Sequence, residues 1–187
     1  MEMIYQNTTA IAILFINFIA SISYFIIYSK DRWKSAFSRL PVILQKIYVA
    51  FFVLPLFTAP FFSVSKFGDS NAILLITGIV VAVVGFSIIV LSFLKIGVVP
   101  SIKSDGKLST TGTYKIVRHP IYFGTIAAQL GLIFATRALI SLIYLPVSIL
   151  LYYLMASLEE KDLVNVFGNQ YIRFREKTRG KVIPFIF

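Results

Sequence analysis

The chain's single histidine, His119, lies in the stretch GTYKIVRHPIYFG at residues 112–124, beside Tyr114, Arg118, Pro120 and Tyr122. A second chemical cluster follows at Glu159 and Glu160. Proline cannot donate a backbone hydrogen bond and suits the first turn of a helix, so Pro120 marks a helix start with His119 at its entry. Helix starts expose unpaired N–H groups and a partial positive charge, a natural seat for a carboxylate. Carboxylates such as Glu159 accept strongly from an ammonium group, and tyrosine rings present π faces to cations. Brought together, these residues would suit a zwitterion. Taken one by one, each has a plainer reading. Arg118 and His119 can anchor at lipid headgroups and Tyr122 can join an aromatic belt. Glu159 and Glu160 can open a solvated tail, with Glu160 the more ordinary of the two.

Composition decides which elements must position these residues. Of 187 residues 58% are hydrophobic and only 14% charged, far from the balance of a soluble domain. A membrane span needs about 20 mostly apolar residues. Runs at 8–28, 40–62, 72–94, 120–135 and 139–158 meet or approach that length. The last two, separated by Thr136, Arg137 and Ala138, predict a helical hairpin that brings His119 and Glu159 out on the same side. The expected architecture is therefore an all-α integral membrane protein with five transmembrane helices. It forms a single membrane domain over 1–187 and ends in a C-terminal amphipathic segment. The first run has its basic residues behind it and a long apolar stretch, which predicts a retained anchor rather than a signal peptide.

Basic residues support that topology. Segments 29–39, 95–118 and 159–187 carry four, five and six Lys or Arg residues, whereas the opposite loops hold only Lys66 and Arg137. The positive-inside rule then puts the N-terminus outside and the C-terminus in the cytoplasm. Lys46, inside the second run, lies near its basic end and is read as snorkelling to the headgroups. A net charge of +10 therefore reflects membrane topology, and no nucleic-acid partner is expected. The absence of cysteine excludes disulfides and thiolate metal sites, and a metal site of any kind is not expected. In the tail, Leu163, Phe167, Tyr171 and Phe174 recur at helical spacing, with a break expected at Gly168. An interfacial helix would explain that stripe.

With both clusters in hand, the sequence resembles the isoprenylcysteine carboxyl methyltransferase-like family of integral membrane methyltransferases, related to phospholipid methyltransferases. The matching segments are GTYKIVRHPIYFG, EEKDLVNVFGNQYIRF and the terminal IPF, in order and one hairpin apart. The resemblance covers roughly the last 90 residues, and it implies a cofactor-binding part over 95–187 with S-adenosyl-L-methionine as methyl donor in a cytoplasmic pocket. By the same resemblance, Tyr114, His119, Pro120, Ile121, Tyr122 and Glu159 are implied to line that pocket. Gly106, Lys107, Leu108 and Ser109 of the preceding loop join them, with Val99 a weaker member. The implied partners are membrane lipids and a lipophilic or lipidated acceptor.

One departure concerns the acceptor. Carboxyl methyltransferases of this family place an arginine four residues before the cofactor glutamate, and Met155 stands there in this chain. O-methylation of a carboxylate is still the first expectation, because a carboxylate is ionised at neutral pH and needs no general base. The alternatives are phospholipid N-methylation, a membrane reductase using a dinucleotide, and a non-enzymatic membrane scaffold or small carrier.

Overall fold

The structure, a computed structural model, describes residues 6–96 and 108–184. Among the described residues its regular elements are helices: α1 Thr8–Tyr28, α2 Asp31–Ser38, α3 Val42–Phe62, α4 Ala72–Ile96, α5 Pro120–Thr136, α6 Leu139–Phe167 and α7 Asn169–Lys177, with a 3-10 turn at Gly112–Lys115 and an isolated bridge between Lys66 and Ala138. α1, α3, α4 and α6 are long and apolar enough to cross a membrane. α5 has 17 residues and is shorter, about 26 Å. The protein is an integral membrane protein. Its outward-facing residues, such as Ile73 and Leu94, both 79% exposed, are apolar because their solvent is hydrocarbon.

α5 lies closest to α4, and small residues are the reason. Gly78 and Gly85 of α4 face Gly131 and Gly124 of α5 across the interface. A Cβ on Gly131 would fall 2.6 Å from the Gly78 carbonyl oxygen and closer still to the backbone of Ala82. Close backbone approach of this kind is how membrane helices associate without a hydrophobic driving force between them. Gly131→Ala is accordingly expected to cost about 1–3 kcal/mol, as overpacked interfaces do. A fall in the thermal midpoint of the detergent-solubilised protein is the check.

The expected turn between α5 and α6 is present. Arg137 adopts left-handed backbone angles (φ 55°, ψ 36°) and ends α5. The α3–α4 connection pairs with this turn: Phe67 N–H donates to the Arg137 carbonyl (3.0 Å) and Leu139 N–H to that of Ser65 (3.0 Å). Asn7, fully buried, accepts from the backbone N–H groups of Val64 (2.9 Å) and Ser65 (3.1 Å) at the same end. α6 then packs against α1, α3 and α5 over a core that includes Leu14, Phe52, Leu56, Ile126, Tyr152 and Met155.

Two elements differ from expectation. α2 forms within the basic segment 29–39, for which the sequence predicts no helix. α6 does not stop at Leu158 but runs on to Phe167, so Glu159 and Glu160 sit on a rigid helix rather than in a solvated tail. A 29-residue helix is about 43 Å long, and its last two turns stand clear of a 30 Å hydrocarbon layer. Gly168 (φ 51°) breaks the chain into α7, as the tail's composition predicts. Tyr171 and Phe174 of α7 pack with Tyr114 and, partly, Leu163 and Phe167, so the tail stripe faces protein rather than the bilayer surface.

Candidate active site

The end of the bundle opposite the Arg137 turn gathers the polar residues singled out in the sequence. His119 is the N-cap of α5 and makes no side-chain cap bond, with Pro120 in the first turn. Its backbone is fixed from outside the helix, because Arg118 N–H and His119 N–H donate to the carbonyls of Gly180 and Lys181, both at 2.9 Å. A strap formed by residues 178–184 therefore holds the entry to α5 in place. The imidazole plane stacks on Tyr122 (5.7 Å between centroids, 7° between planes).

The imidazole and the acid touch. His119 Nδ1 lies 3.3 Å from Glu159 Oε2, and Nε2 lies 3.6 Å from Glu160 Oε1. The second distance is too long for a hydrogen bond, so Nε2 is a buried nitrogen with no hydrogen-bond partner among the described residues. Glu159 Oε1 accepts from the hydroxyls of Tyr122 and Tyr24, the latter at 3.0 Å. Glu159 keeps a quarter of its side chain exposed, against 7% for His119. Its carboxylate is thus held by two phenols on Oε1 and by the His119 imidazole on Oε2, with part of the side chain still exposed.

Glu160 is more deeply buried than Glu159, the reverse of the sequence expectation. It accepts from Arg118 Nε at 2.6 Å and faces Lys181 Nζ at 3.8 Å. Arg118 also donates from Nη1 to the carbonyls of Thr178 and Arg179, both at 2.7 Å, locking the strap down. Arg118 is therefore not a headgroup anchor: its Nε and Nη1 are committed to Glu160 and the strap.

Electrostatics follow from this packing. Burial alone would depress the pKa of His119, but contacts with Glu159 and Glu160 outweigh it and hold the value above the ordinary 6.5. The imidazolium is the form this site favours. Its contribution to stability is complete below pH 6.5 and is lost as pH rises through the higher native value. Stability is thus expected to fall as pH rises above 6.5, with a slope of up to about 1.4 kcal/mol per pH unit, and the thermal midpoint should follow it. His119→Gln should flatten that slope. Burial and the charge on Glu159 likewise push the Tyr114 phenol upward, so its hydroxyl stays protonated.

The remaining sequence candidates divide. Tyr114 is buried near Glu159 and contacts α7, and Leu108 packs against the same cluster. Pro120 is buried, while Ile121, Tyr122 and Ser109 are half-buried. Gly106, Lys107 and Val99 lie outside the described residues. Sequence reasoning missed Tyr24, and it undervalued Arg118, Glu160 and Lys181. The first is one of two tyrosines in an apolar run, beside Tyr28, and carried no local signal. The pairing of Arg118 with Glu160 was legible only as two motifs expected at one membrane edge.

The arrangement fits S-adenosylmethionine. An ammonium group suits the partly exposed carboxylate of Glu159, a carboxylate suits the uncapped N–H groups at the start of α5, and His119 Nε2 lacks a hydrogen-bond partner among the described residues.

Comparison with known proteins points the same way. Residues 72–170 match the model of the phospholipid methyltransferase family, a segment that contains α4, α5, α6 and both motif clusters. A methanethiol S-methyltransferase of Pseudomonas deceptionensis is 36% identical over 90 residues, covering 46% of this chain and 31% of that protein. A methanethiol S-methyltransferase 1 of Bradyrhizobium diazoefficiens is 32% identical over 79 residues, covering 42% and 27%. The chain thus matches less than a third of the length of either relative. No solved structure matches. The match spans more than half of the sequence and encloses the His119–Glu159 pair, and the chain belongs to the phospholipid methyltransferase family.

Proposed function

We propose that this chain is an S-adenosylmethionine-dependent methyltransferase of five membrane spans, with α5 as the short fourth span and the His119–Glu159 end facing the cytoplasm. The observation that carries the reading is the contact between His119 at the start of α5 and Glu159 on α6, inside the family-matched segment. The orientation follows from the basic residues of α2, the 108–119 segment and the tail, which share that end.

Bound at this site, S-adenosylmethionine would supply a methyl group activated by its sulfonium. The chain's own residues hold and orient. Glu159 faces the ammonium, the α5 N-terminus faces the carboxylate, and the rings of Tyr122 and Tyr114 supply π surface for the cationic or aromatic parts. Catalysis by such residues consists of alignment and exclusion of water around the reacting atoms. Contact with Glu159 and Glu160 favours the charged form of His119, which counts against its use as a general base for an amine acceptor that must first lose a proton.

Carboxylate O-methylation is the first reading for the acceptor, since it requires no base. Met155, only 2% exposed, leaves such an acceptor without its expected cation, and Arg118 is committed to Glu160 and the strap. A second reading, methyl transfer to sulfur, draws support from the names of the two relatives and needs no guanidinium beside the acceptor. The test offers the purified chain deuterated donor with a long-chain carboxylic acid, an alkyl thiol and an aminophospholipid. Labelled ester or thioether supports the first or second reading. Label in the aminophospholipid alone overturns both, and no label in any product counts against methyl transfer itself.

A further inference from the structure

Tyr24 sits on α1, outside the family-matched segment, and is separated from Glu159 by 135 residues. We infer that Tyr24 is a positioning residue of the site, and that its hydroxyl aims Glu159 at the ammonium group of the donor. The inference rests on the donor-binding reading above.

The Tyr24 hydroxyl donates to Glu159 Oε1 at 3.0 Å, the same oxygen that accepts from Tyr122. Its ring cannot swing away. It stacks on Tyr28 at 4.0 Å and meets the edge of Phe52 at 5.6 Å, and the residue is 8% exposed. Glutamate has three rotatable side-chain bonds, so an acid on a helix surface samples many directions. Two rigid phenols, one from α1 and one from α5, fix Oε1 from different helices. Oε2 is left facing His119, on a side chain that keeps a quarter of its surface exposed. A second tie joins α1–α2 to α6 beyond this point, the ion pair of Lys34 with Asp162. Helix α1 is thereby registered against the acid-bearing turn of α6. The site is incomplete without the N-terminal half of the chain.

A purely structural role has a matched comparison within the molecule. Tyr144 also ties α6 to α1, donating to Asn17 Oδ1 at 2.7 Å, but it lies about 22 Å further along α6 from Glu159. Tyr24→Phe and Tyr144→Phe remove the same hydroxyl from the same helix pair. Both are expected to lower the thermal midpoint of the detergent-solubilised full chain slightly. Only Tyr24→Phe should weaken S-adenosylmethionine binding, by about tenfold in calorimetric titration, as loss of a hydrogen bond to a charged group does. In a Glu159→Gln background the same change should add nothing to the loss. Binding by Tyr24→Phe within twofold of the parent, or an equal loss in Tyr144→Phe, overturns the inference and leaves the donor site standing. Unaltered binding by Glu159→Gln alone sinks the donor site and this inference with it.

Discussion

Glu159→Gln is expected to weaken binding of S-adenosylmethionine by about 100-fold while leaving the fold intact. The substitution keeps the shape of the side chain and an oxygen that still accepts from Tyr24 and Tyr122. It removes the negative charge that the donor's ammonium requires. Loss of one partner from a partly desolvated charge pair costs about 2–5 kcal/mol, and two orders of magnitude sit within that range. Methyl transfer at subsaturating donor should fall in proportion. Titration calorimetry and a thermal melt on the same preparation separate the outcomes. Lost affinity at an unchanged melting point is the expected pair of results, and lost affinity with collapse of the melt would assign Glu159 a structural role.

The second large effect is on stability. Arg118→Met removes the guanidinium that satisfies Glu160 and two strap carbonyls at once. His119 and Lys181 remain near Glu160, but neither is within hydrogen-bonding distance of it. Breaking a buried pair by deleting one partner typically costs about 3–5 kcal/mol, because the other charge stays buried. Arg118→Lys should recover little, since an ammonium cannot span the carboxylate and both carbonyls as a planar fork does. The double change Arg118→Met with Glu160→Met should be markedly more stable than Arg118→Met alone. Denaturant unfolding in detergent measures the difference, and limited proteolysis near Arg179 reports whether the strap is released. A double variant no more stable than the single one would mean that Arg118 acts mainly through the strap carbonyls.

What was legible in the sequence was local. Apolar length located α1, α3, α4 and the start of α6 to within a few residues, because lipid imposes composition directly on each helix. The turn at Arg137 was readable from three less apolar residues between two apolar runs. The meeting of His119 with Glu159 followed from that hairpin and two short motifs. What was not legible depends on packing between distant elements. Sequence reading gave α6 an end at Leu158, where the apolar run stops, yet the amphipathic turns beyond it stay helical because Leu163 and Phe167 pack towards Tyr114. The glycines at 78, 85, 124 and 131 keep a seven-residue spacing in both helices, a signal for the α4–α5 contact that went unused. Tyr24 is one aromatic among many in α1, and only the three-dimensional arrangement distinguishes it from its neighbours.

The central claim is that the end of the bundle bearing His119 and Glu159 receives a methyl donor. Its most direct test is equilibrium titration of the purified full chain with S-adenosylmethionine and, separately, with a reduced nicotinamide dinucleotide. Saturable binding of S-adenosylmethionine, abolished or greatly weakened by Glu159→Gln, is the predicted result. Binding of the dinucleotide without S-adenosylmethionine, or S-adenosylmethionine binding indifferent to Glu159→Gln, would contradict it.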